Sequence, residues 1–478
     1  MFRPAPKYEV LDLFRVRVIA DNSVKPIDDE ILAKLPPFVQ RCLAFKWNQS
    51  PQTALLANLY PFQKQGVRKA NVFGGSILFA DEMGSGKTFQ ALATVHYHGG
   101  RVLIVCPSYL KSNWKHEALL RANIDTVILK SSKDVERQPP GDGNWILAYD
   151  IAAKQTNILC SAGFSSVIFD ECHMLKNHRS KRWRALRKLS LKIPHRVLCS
   201  GTPAPNGRNC ELYCQLKMVR PELLGTWTDF VWRYTVPRKN PFGGFDFNNN
   251  RLSEELAFFL SRCFQIRRLK RDVLADLPPK IRQKVLLDSS VPYQLTAAYR
   301  RWESLDDDNF EKKSLLSQLY LMTAEAKIPP VVKYFKESEL PKRFLVFAYH
   351  KSMMHAIYSS IEASNVAIIT GETPMEERHI IVNEFQEMKL DRLVLSLGAC
   401  GTGLTLTKAC THVFFSELHW SPSDLLQAED RTHRIGVEGT VNVSYLIVKG
   451  TLDDLMWRIL EKKVRNIDKL DQRNDRKW

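Results

Sequence analysis

Residues 76–88 read SILFADEMGSGKT: a short apolar run, two acids, then a glycine-rich turn that leads into a helical pattern. An unbroken apolar run of this length suits a strand covered on both faces, and such strands belong to parallel sheets with helices as crossovers. Gly84 and Gly86 let the backbone turn tightly, so that N–H groups converge on phosphate oxygens at the start of a helix. Lys87 then offers its ammonium to the β and γ phosphates of a nucleotide, and the Thr88 hydroxyl can hold Mg²⁺. One position departs from the general pattern GxxxxGK[ST], which has glycine where this chain has Asp81.

Similar runs continue on either side. RVLIVC (101–106), WILA (145–148), SVIFD (166–170) and RVLCS (196–200) complete one series, with helical patterns at 87–98 and 109–121 between them. A second series follows a break: FLVFA (344–348), VAIIT (366–370), RLVLS (392–396), HVFFS (412–416) and VSYLIV (443–448). The expected fold is α/β, two doubly wound parallel-sheet domains in tandem with helical insertions. The divisions expected are an N-terminal extension over 1–50, with a possible strand at 14–20 and a helix at 30–44, and a first domain over 51–265. A linker over 266–292, a helical insertion over 293–340 and a second domain over 341–478 follow. Within the first domain, 226–263 reads as a helical insertion carrying the loop-like KNPFGGFDFNNNR (239–251).

The partner of a phosphate loop is an acid at the C-terminal end of another parallel strand. VIFDECH (167–173) supplies two. Asp170 is placed to bind Mg²⁺ through water, and Glu171 to polarise the water that attacks the γ phosphate. Cys172 and His173 are too few for a metal site and read as coupling residues. Further on, QAEDRTHRIG (427–436) puts Arg431 and Arg434 three apart, on one face if the segment is helical. Such arginines act as fingers that stabilise charge on a transferring phosphoryl group.

The 478 residues carry 69 Lys+Arg against 51 Asp+Glu, a formal net charge of +18 spread along the chain. That balance favours a polyanionic partner. No apolar run approaches the roughly 20 residues that span a bilayer, so no membrane partner is expected. The ten cysteines include no CxxC pair and read as buried thiols of a reducing compartment. An intracellular setting is expected: the nucleus in a eukaryotic cell, otherwise the cytoplasm or a virion.

The ordered set LYPFQKQGV (59–67), DEMGSGKT, VCPSYLKSNW (105–114), DECH, SGTP (200–203), LVFAYH (345–350), LSLGACGTGLTL (395–406) and QAEDRTHRIG resembles the motifs of superfamily-two helicases. Within that superfamily the chain resembles the SWI/SNF-related DNA translocase ATPases. RRLKRDVLADLPPK (267–280), AEAKIP (324–329) and ELHWSPSDLLQAEDRTHRIG (417–436) are similar to the annealing-helicase, HARP-like branch. The resemblance implies RecA-like domains and an ATP-dependent translocase on double-stranded or branched DNA, with ATP and Mg²⁺ as cofactors. Gln63 would recognise adenine; Gly84, Ser85, Gly86, Lys87 and Thr88 would hold the nucleotide, and Thr88 and Asp170 the metal. Asp170 and Glu171 would be the acidic pair, Arg431 and Arg434 the fingers. Ser108, Lys111, Trp114, Thr202, Ser396, Thr402 and Gly403 would touch the DNA backbone or couple that contact to the ATP site. A monomer is expected, a motor with little accessory sequence, working with single-strand-binding, replication or transcription proteins. Val437 stands where many members have Gln, which leaves that side chain without a role. A strand-separating DNA or RNA helicase and a non-hydrolysing nucleic-acid clamp are the alternatives.

Overall fold

The computed structural model describes residues 35–44, 58–139, 141–240, 243–274, 276–306, 310–361, 365–398, 406, 410–434 and 436–470. They fall into two compact units. The first holds the described residues up to Lys239, Gly243–Val273 and those from Arg465 on; the second holds Asn240 and the described residues of Leu274–Val464.

The strands of the first unit are β1 (Ile77–Phe79), β2 (Val102–Cys106), β3 (Thr126–Ile128), β4 (Asn144–Ala148), β5 (Ser166–Asp170), β6 (His195–Cys199), β7 (Thr235–Lys239), β8 (Phe245–Asn250) and β9 (Gln265–Ile266). Seven of them form one sheet in the order β3-β4-β2-β5-β6-β1-β9, every pairing parallel. Side chains alternate across it, as the pleat requires. Leu78, Leu103, Val105, Val167, Phe169 and Leu198 join one apolar cluster, while Ile77, Phe79, Val102, Ile104, Ile168 and Val197 join another. Both faces are therefore covered, which is why these strands read as unbroken apolar runs.

The second unit repeats the plan with β10 (Lys280–Leu287), β11 (Phe344–Ala348), β12 (Val366–Ile369), β13 (Arg392–Ser396), β14 (His412–Phe415) and β15 (Val441–Val448). Their order is β10-β15-β14-β11-β13-β12, again all parallel. Leu345, Phe347, Leu393 and Phe415 face one cluster; Phe344, Val346, Val394 and Phe414 face the other. The α/β fold with two doubly wound parallel sheets is the one expected. No described helix is long and apolar enough to cross a membrane.

Three differences from expectation have physical causes. Residues 266–292 are not an unstructured linker: β9 ends at Ile266, and β10 adds a whole strand to the edge of the second sheet. Its sequence, KIRQKVLL, carries lysines and an arginine as edge strands commonly do, and these hide its alternation. The loop-like 239–251 is mostly hairpin, since β7 and β8 pair antiparallel. Within the helical insertion expected over 293–340, the helix Phe310–Glu337 runs on through Pro329 and Pro330, residues that ordinarily break a helix. Burial of Val331 and Phe335 in the core beyond the prolines favours its continuation. The possible strand at 14–20 lies outside the described residues, and of the expected helix at 30–44 the described part is Pro37–Ala44.

Candidate active site

Strand register fixes the first unit's site. Phe79 of β1 and Asp170 of β5 both pair with Cys199 of β6, so the three stand in one row. With neighbouring strands roughly 4.8 Å apart, the phosphate loop after β1 and the acids after β5 start about 10 Å apart, with the SGT segment between them.

Gly84 and Gly86 take φ of 77° and 79°, the left-handed region that glycine enters without penalty. A Cβ at Gly86 would also lie 2.3 Å from Gln63 Nε2. Gln63 is buried beneath the loop: its Nε2 donates to the Ser85 carbonyl at 2.9 Å, and its Oε1 accepts from the Tyr60 N–H at 3.0 Å. Lys87 opens the helix Lys87–His98 and donates from Nζ to the carbonyls of Asp81 and Glu82 at 2.9 and 3.2 Å. Burial pushes its ammonium down, against the pull of Glu171 and Asp81. Thr88 follows in the first turn, partly exposed.

Asp81, where the usual loop has glycine, is fully buried and ion-paired with Arg268. Arg268 Nε reaches Asp81 Oδ1 at 3.0 Å, Gln90 Nε2 reaches Asp81 Oδ2 at 2.9 Å, and Arg268 Nη2 donates to Gln90 Oε1 at 2.6 Å. Arg267 donates to the carbonyls of Ala80 and, at 2.9 Å, Gly201. The basic segment read as part of a linker thus closes the base of the phosphate loop. Only the acid at a glycine position hinted at this, because Asp81 and Arg268 are 187 residues apart.

Asp170 accepts from Trp114 Nε1 at 2.8 Å and from the Glu171 N–H at 2.9 Å. Burial raises its carboxyl to about 6, with repulsion from Glu171 adding to it and Trp114 and Lys87 opposing. Glu171 holds φ 50° and ψ 48°, a left-handed conformation rare for a residue with a Cβ. Its Oε2 lies 3.2 Å from His173 Nδ1, which lies 3.1 Å from Ser200 Oγ, which accepts from the Thr202 N–H at 3.2 Å. Cys172 Sγ donates to Gln215 Oε1 at 3.1 Å, and Gln215 donates to the Pro203 carbonyl at 2.7 Å. The two residues that follow the acids, Cys172 and His173, are therefore each tied to the SGTP segment. A Cβ on Gly201 would lie 2.3 Å from Met83 Cγ and 3.4 Å from Lys87 Nζ, so that segment packs directly on the phosphate loop.

The oxygens available to a hard cation here are the Thr88 hydroxyl and the Asp170 carboxylate. Among the described residues no cluster of three or more His, Cys, Asp or Glu could hold a metal alone. That set fits an ion bound jointly by protein and phosphate, the usual arrangement for Mg²⁺. A carboxyl raised by burial beside a second acid is where a divalent charge gives relief.

In the second unit the helix Pro422–Glu429 ends before the two arginines, which lie in the following turn instead of on a helical face. Arg431 is buried; Arg434 Nε donates to the Asp430 carbonyl at 2.7 Å. The turn is anchored through Glu429, fully buried, which receives Arg282 at 2.7 and 2.6 Å, Lys280 at 2.9 Å and the Tyr445 hydroxyl at 2.7 Å. Lys280 also meets Asp430 at 2.9 Å. Burial alone would raise the Glu429 carboxyl, but Arg282 and Lys280 outweigh it and hold it at about 2. Glu429→Gln should therefore destabilise the second unit by about 3–5 kcal/mol, because Arg282 stays buried without its counter-charge and Lys280 keeps only Asp430. Chemical denaturation of the full chain measures this. A carboxyl depressed in the fold adds stability above its unfolded value, here 4.5, and that stability is lost as pH falls toward about 2. The loss in the variant should accordingly be constant from pH 6 to 8, and a loss that disappears at pH 8 would contradict the pairing.

Of the residues expected at DNA, Ser108 is exposed, while Lys111 and Ser396 are partly so. Trp114 is 1 % exposed, so its side chain does not offer a surface to a phosphate backbone; it is bonded to Asp170 instead. Thr202 is also buried. Thr402 and Gly403 lie outside the described residues.

Comparison with known proteins also divides the chain in two, but at residue 326, inside the second unit. The SNF2-related domain matches residues 53–326, and the Helicase conserved C-terminal domain matches residues 326–436. The DNA annealing helicase and endonuclease ZRANB3 of Bos taurus is 36% identical over 438 residues, covering 86% of this chain and 40% of that protein. The SWI/SNF-related matrix-associated actin-dependent regulator of chromatin subfamily A-like protein 1 of Xenopus laevis is 35% identical over 472 residues, covering 94% of this chain and 48% of that one. This chain thus spans less than half the length of either. The solved Sulfolobus solfataricus SWI2/SNF2 ATPase core in complex with dsDNA aligns with 87% of this chain and 93% of its own at 24% identity, with a TM-score of 0.44.

Proposed function

This chain belongs to the SNF2-related family, and from that premise we propose that it is an ATP-dependent translocase on double-stranded DNA, with branched DNA as its working substrate. The observation that carries the reading is the site of the first unit: phosphate loop, acidic pair and SGT segment on adjacent strand ends, with His173 beside the acids bonded to Ser200. Lys87 and the loop N–H groups bind the phosphates, and Gln63 takes the adenine side. Glu171 holds the attacking water and draws its proton. Mg²⁺, held by Thr88 and Asp170 when bound, neutralises phosphate charge. Arg431 and Arg434 add the positive charge that the transition state needs. The chain Glu171–His173–Ser200–Thr202 gives the site a route by which a change at the phosphates alters the grip on DNA around Ser108, Lys111 and Ser396.

We read the motor as a monomer that works with single-strand-binding or replication proteins. The annealing activity in the first relative's name supports reannealing at a junction as the net outcome, and the chromatin in the second's supports a nuclear setting. An intact Lys87 and Glu171 weigh against a non-hydrolysing clamp.

Triplex displacement tests the reading. With ATP the protein should strip a third strand from a duplex, while a tailed duplex should release little single strand. Efficient release from the tailed duplex without triplex displacement would make it a strand-separating helicase instead. Binding should be backbone-dominated, so a Kd for duplex that stays constant between about 50 and 200 mM salt would also contradict it.

A further inference from the structure

Immediately after the acidic pair, residues 176–192 carry eight Lys or Arg and no Asp or Glu. The helix Lys181–Ser190 lies within this segment and buries Trp183, Leu186 and Leu189. Its outward side is a stripe of exposed cations: Lys181, Arg184 and Lys188, continued by Lys192 beyond the helix. Spacings of three and four set neighbours on such a stripe about 5–6 Å apart. Within the segment Lys176 pairs with Glu211 and Arg182 with Asp150. Lys188 is held by a neutral partner, Asn157, at 3.0 Å.

Beside this helix a cavity of about 620 Å³ opens, lined by none of the residues assigned to the nucleotide. Its walls include Phe38, Trp183, Tyr213 and Trp227, and the cations Arg187 and Arg41. Tyr213 meets Trp227 edge to face, with centroids 5.3 Å apart, and the His178 ring stacks on Trp227 at 3.8 Å. Trp227 Nε1 and Arg187 Nε are buried without a hydrogen-bond partner among the described residues. The acid on the wall, Asp229, is taken up in capping the helix Trp227–Tyr234 through the Thr226 N–H and hydroxyl, each at 2.8 Å.

A cationic rail beside an aromatic hollow is the combination that grips single-stranded nucleic acid, phosphates on one and an unstacked base in the other. Duplex DNA has no free base to offer the hollow, and an acidic peptide has no use for its width. We propose that the first unit carries a second nucleic-acid site, separate from the ATP site and from the residues expected at duplex DNA. Lys181, Arg184, Lys188 and Lys192 hold the backbone of a single strand, and the cavity between Arg187 and Trp227 receives one of its bases. The site deepens the reading of a motor on branched DNA, and rests on that reading only for the polymer being DNA.

The experiment measures anisotropy of a labelled oligo-dT of about 12 nucleotides with the full chain, without ATP, across about 50 to 200 mM salt. Arg184→Gln with Lys188→Gln should weaken binding at least tenfold at low salt and flatten the slope of log K against log salt by about 1.4, two contacts at roughly 0.7 each. Duplex-stimulated ATP turnover should stay at wild-type level, since neither residue belongs to the ATP machinery. An oligonucleotide bearing 5-iododeoxyuridine should photocrosslink to Trp227 or Tyr213. Unchanged affinity and slope in the double variant, or crosslinks confined to other regions, would overturn the proposal. So would poly-glutamate displacing the oligonucleotide at equal charge concentration, which would make the face a dock for an acidic protein. Absent duplex stimulation in the wild type would sink the motor reading and leave the single-strand result standing.

Discussion

Arg434→Ala should slow ATP turnover by about 10³ to 10⁵ while ATP affinity stays within a few-fold, because a finger's charge acts on the transition state more than on the bound nucleotide. Position in the second unit makes this a demanding test, since Lys87 and Arg434 belong to different compact units of the chain. The guanidinium sits in a turn held by its own bond to the Asp430 carbonyl and by the Glu429 cluster beneath. Removing Arg434 leaves that cluster whole, so thermal stability should be nearly unchanged. Glu429→Gln should lose both stability and turnover, because it loosens the support of the turn. Steady-state turnover, nucleotide binding and melting of the two variants separate chemistry from positioning. Wild-type turnover in Arg434→Ala would end the finger assignment.

What could be read in the sequence was what neighbouring residues encode. An apolar run, a glycine-rich turn and a helix lie side by side at 76–98, and VIFDECH carries its strand and both acids within seven residues. The doubly wound plan followed from such runs, because strands covered on both faces cannot afford polar interruptions. β9 escaped because two residues make no pattern, and β3 because it is a short edge strand with one of its three residues buried. β10 escaped because its inward-leaning cations, Lys280 and Arg282, are satisfied by Glu429 and Asp430, some 150 residues away. Distance likewise hid Asp81 with Arg268 and Trp114 with Asp170. For Trp114 the motif leaves open a touch on the DNA backbone or a coupling of that contact to the ATP site, and only the packing shows the side chain turned inward. Arg431 and Arg434 were legible as residues, whereas their turn was not, since nothing local marks Glu429 as the last residue of its helix.

Glu171→Gln should keep ATP binding and lower turnover by about 10² to 10⁴, the range for removing a general base. Glutamine has the shape to keep the approach to His173 Nδ1, 3.2 Å from Glu171 Oε2, so the His173–Ser200 bond should survive and only the proposed proton acceptor is lost. Lys87→Ala should instead weaken nucleotide binding itself, because in the proposed reading it removes a charge that binds the phosphates. The backbone adds a second arm. A side chain held in the left-handed region costs about 1–2 kcal/mol, and glycine would escape that while giving back roughly 0.5–1 kcal/mol in unfolded-state entropy. Glu171→Gly should therefore melt at or slightly above the wild-type temperature although it cannot hydrolyse ATP. A stable but inactive Glu171→Gly would show that strain at φ 50° is held there to aim the carboxylate. If that variant melted well below wild type, Glu171 would be a structural residue, and the loss of turnover in Glu171→Gln would need another cause.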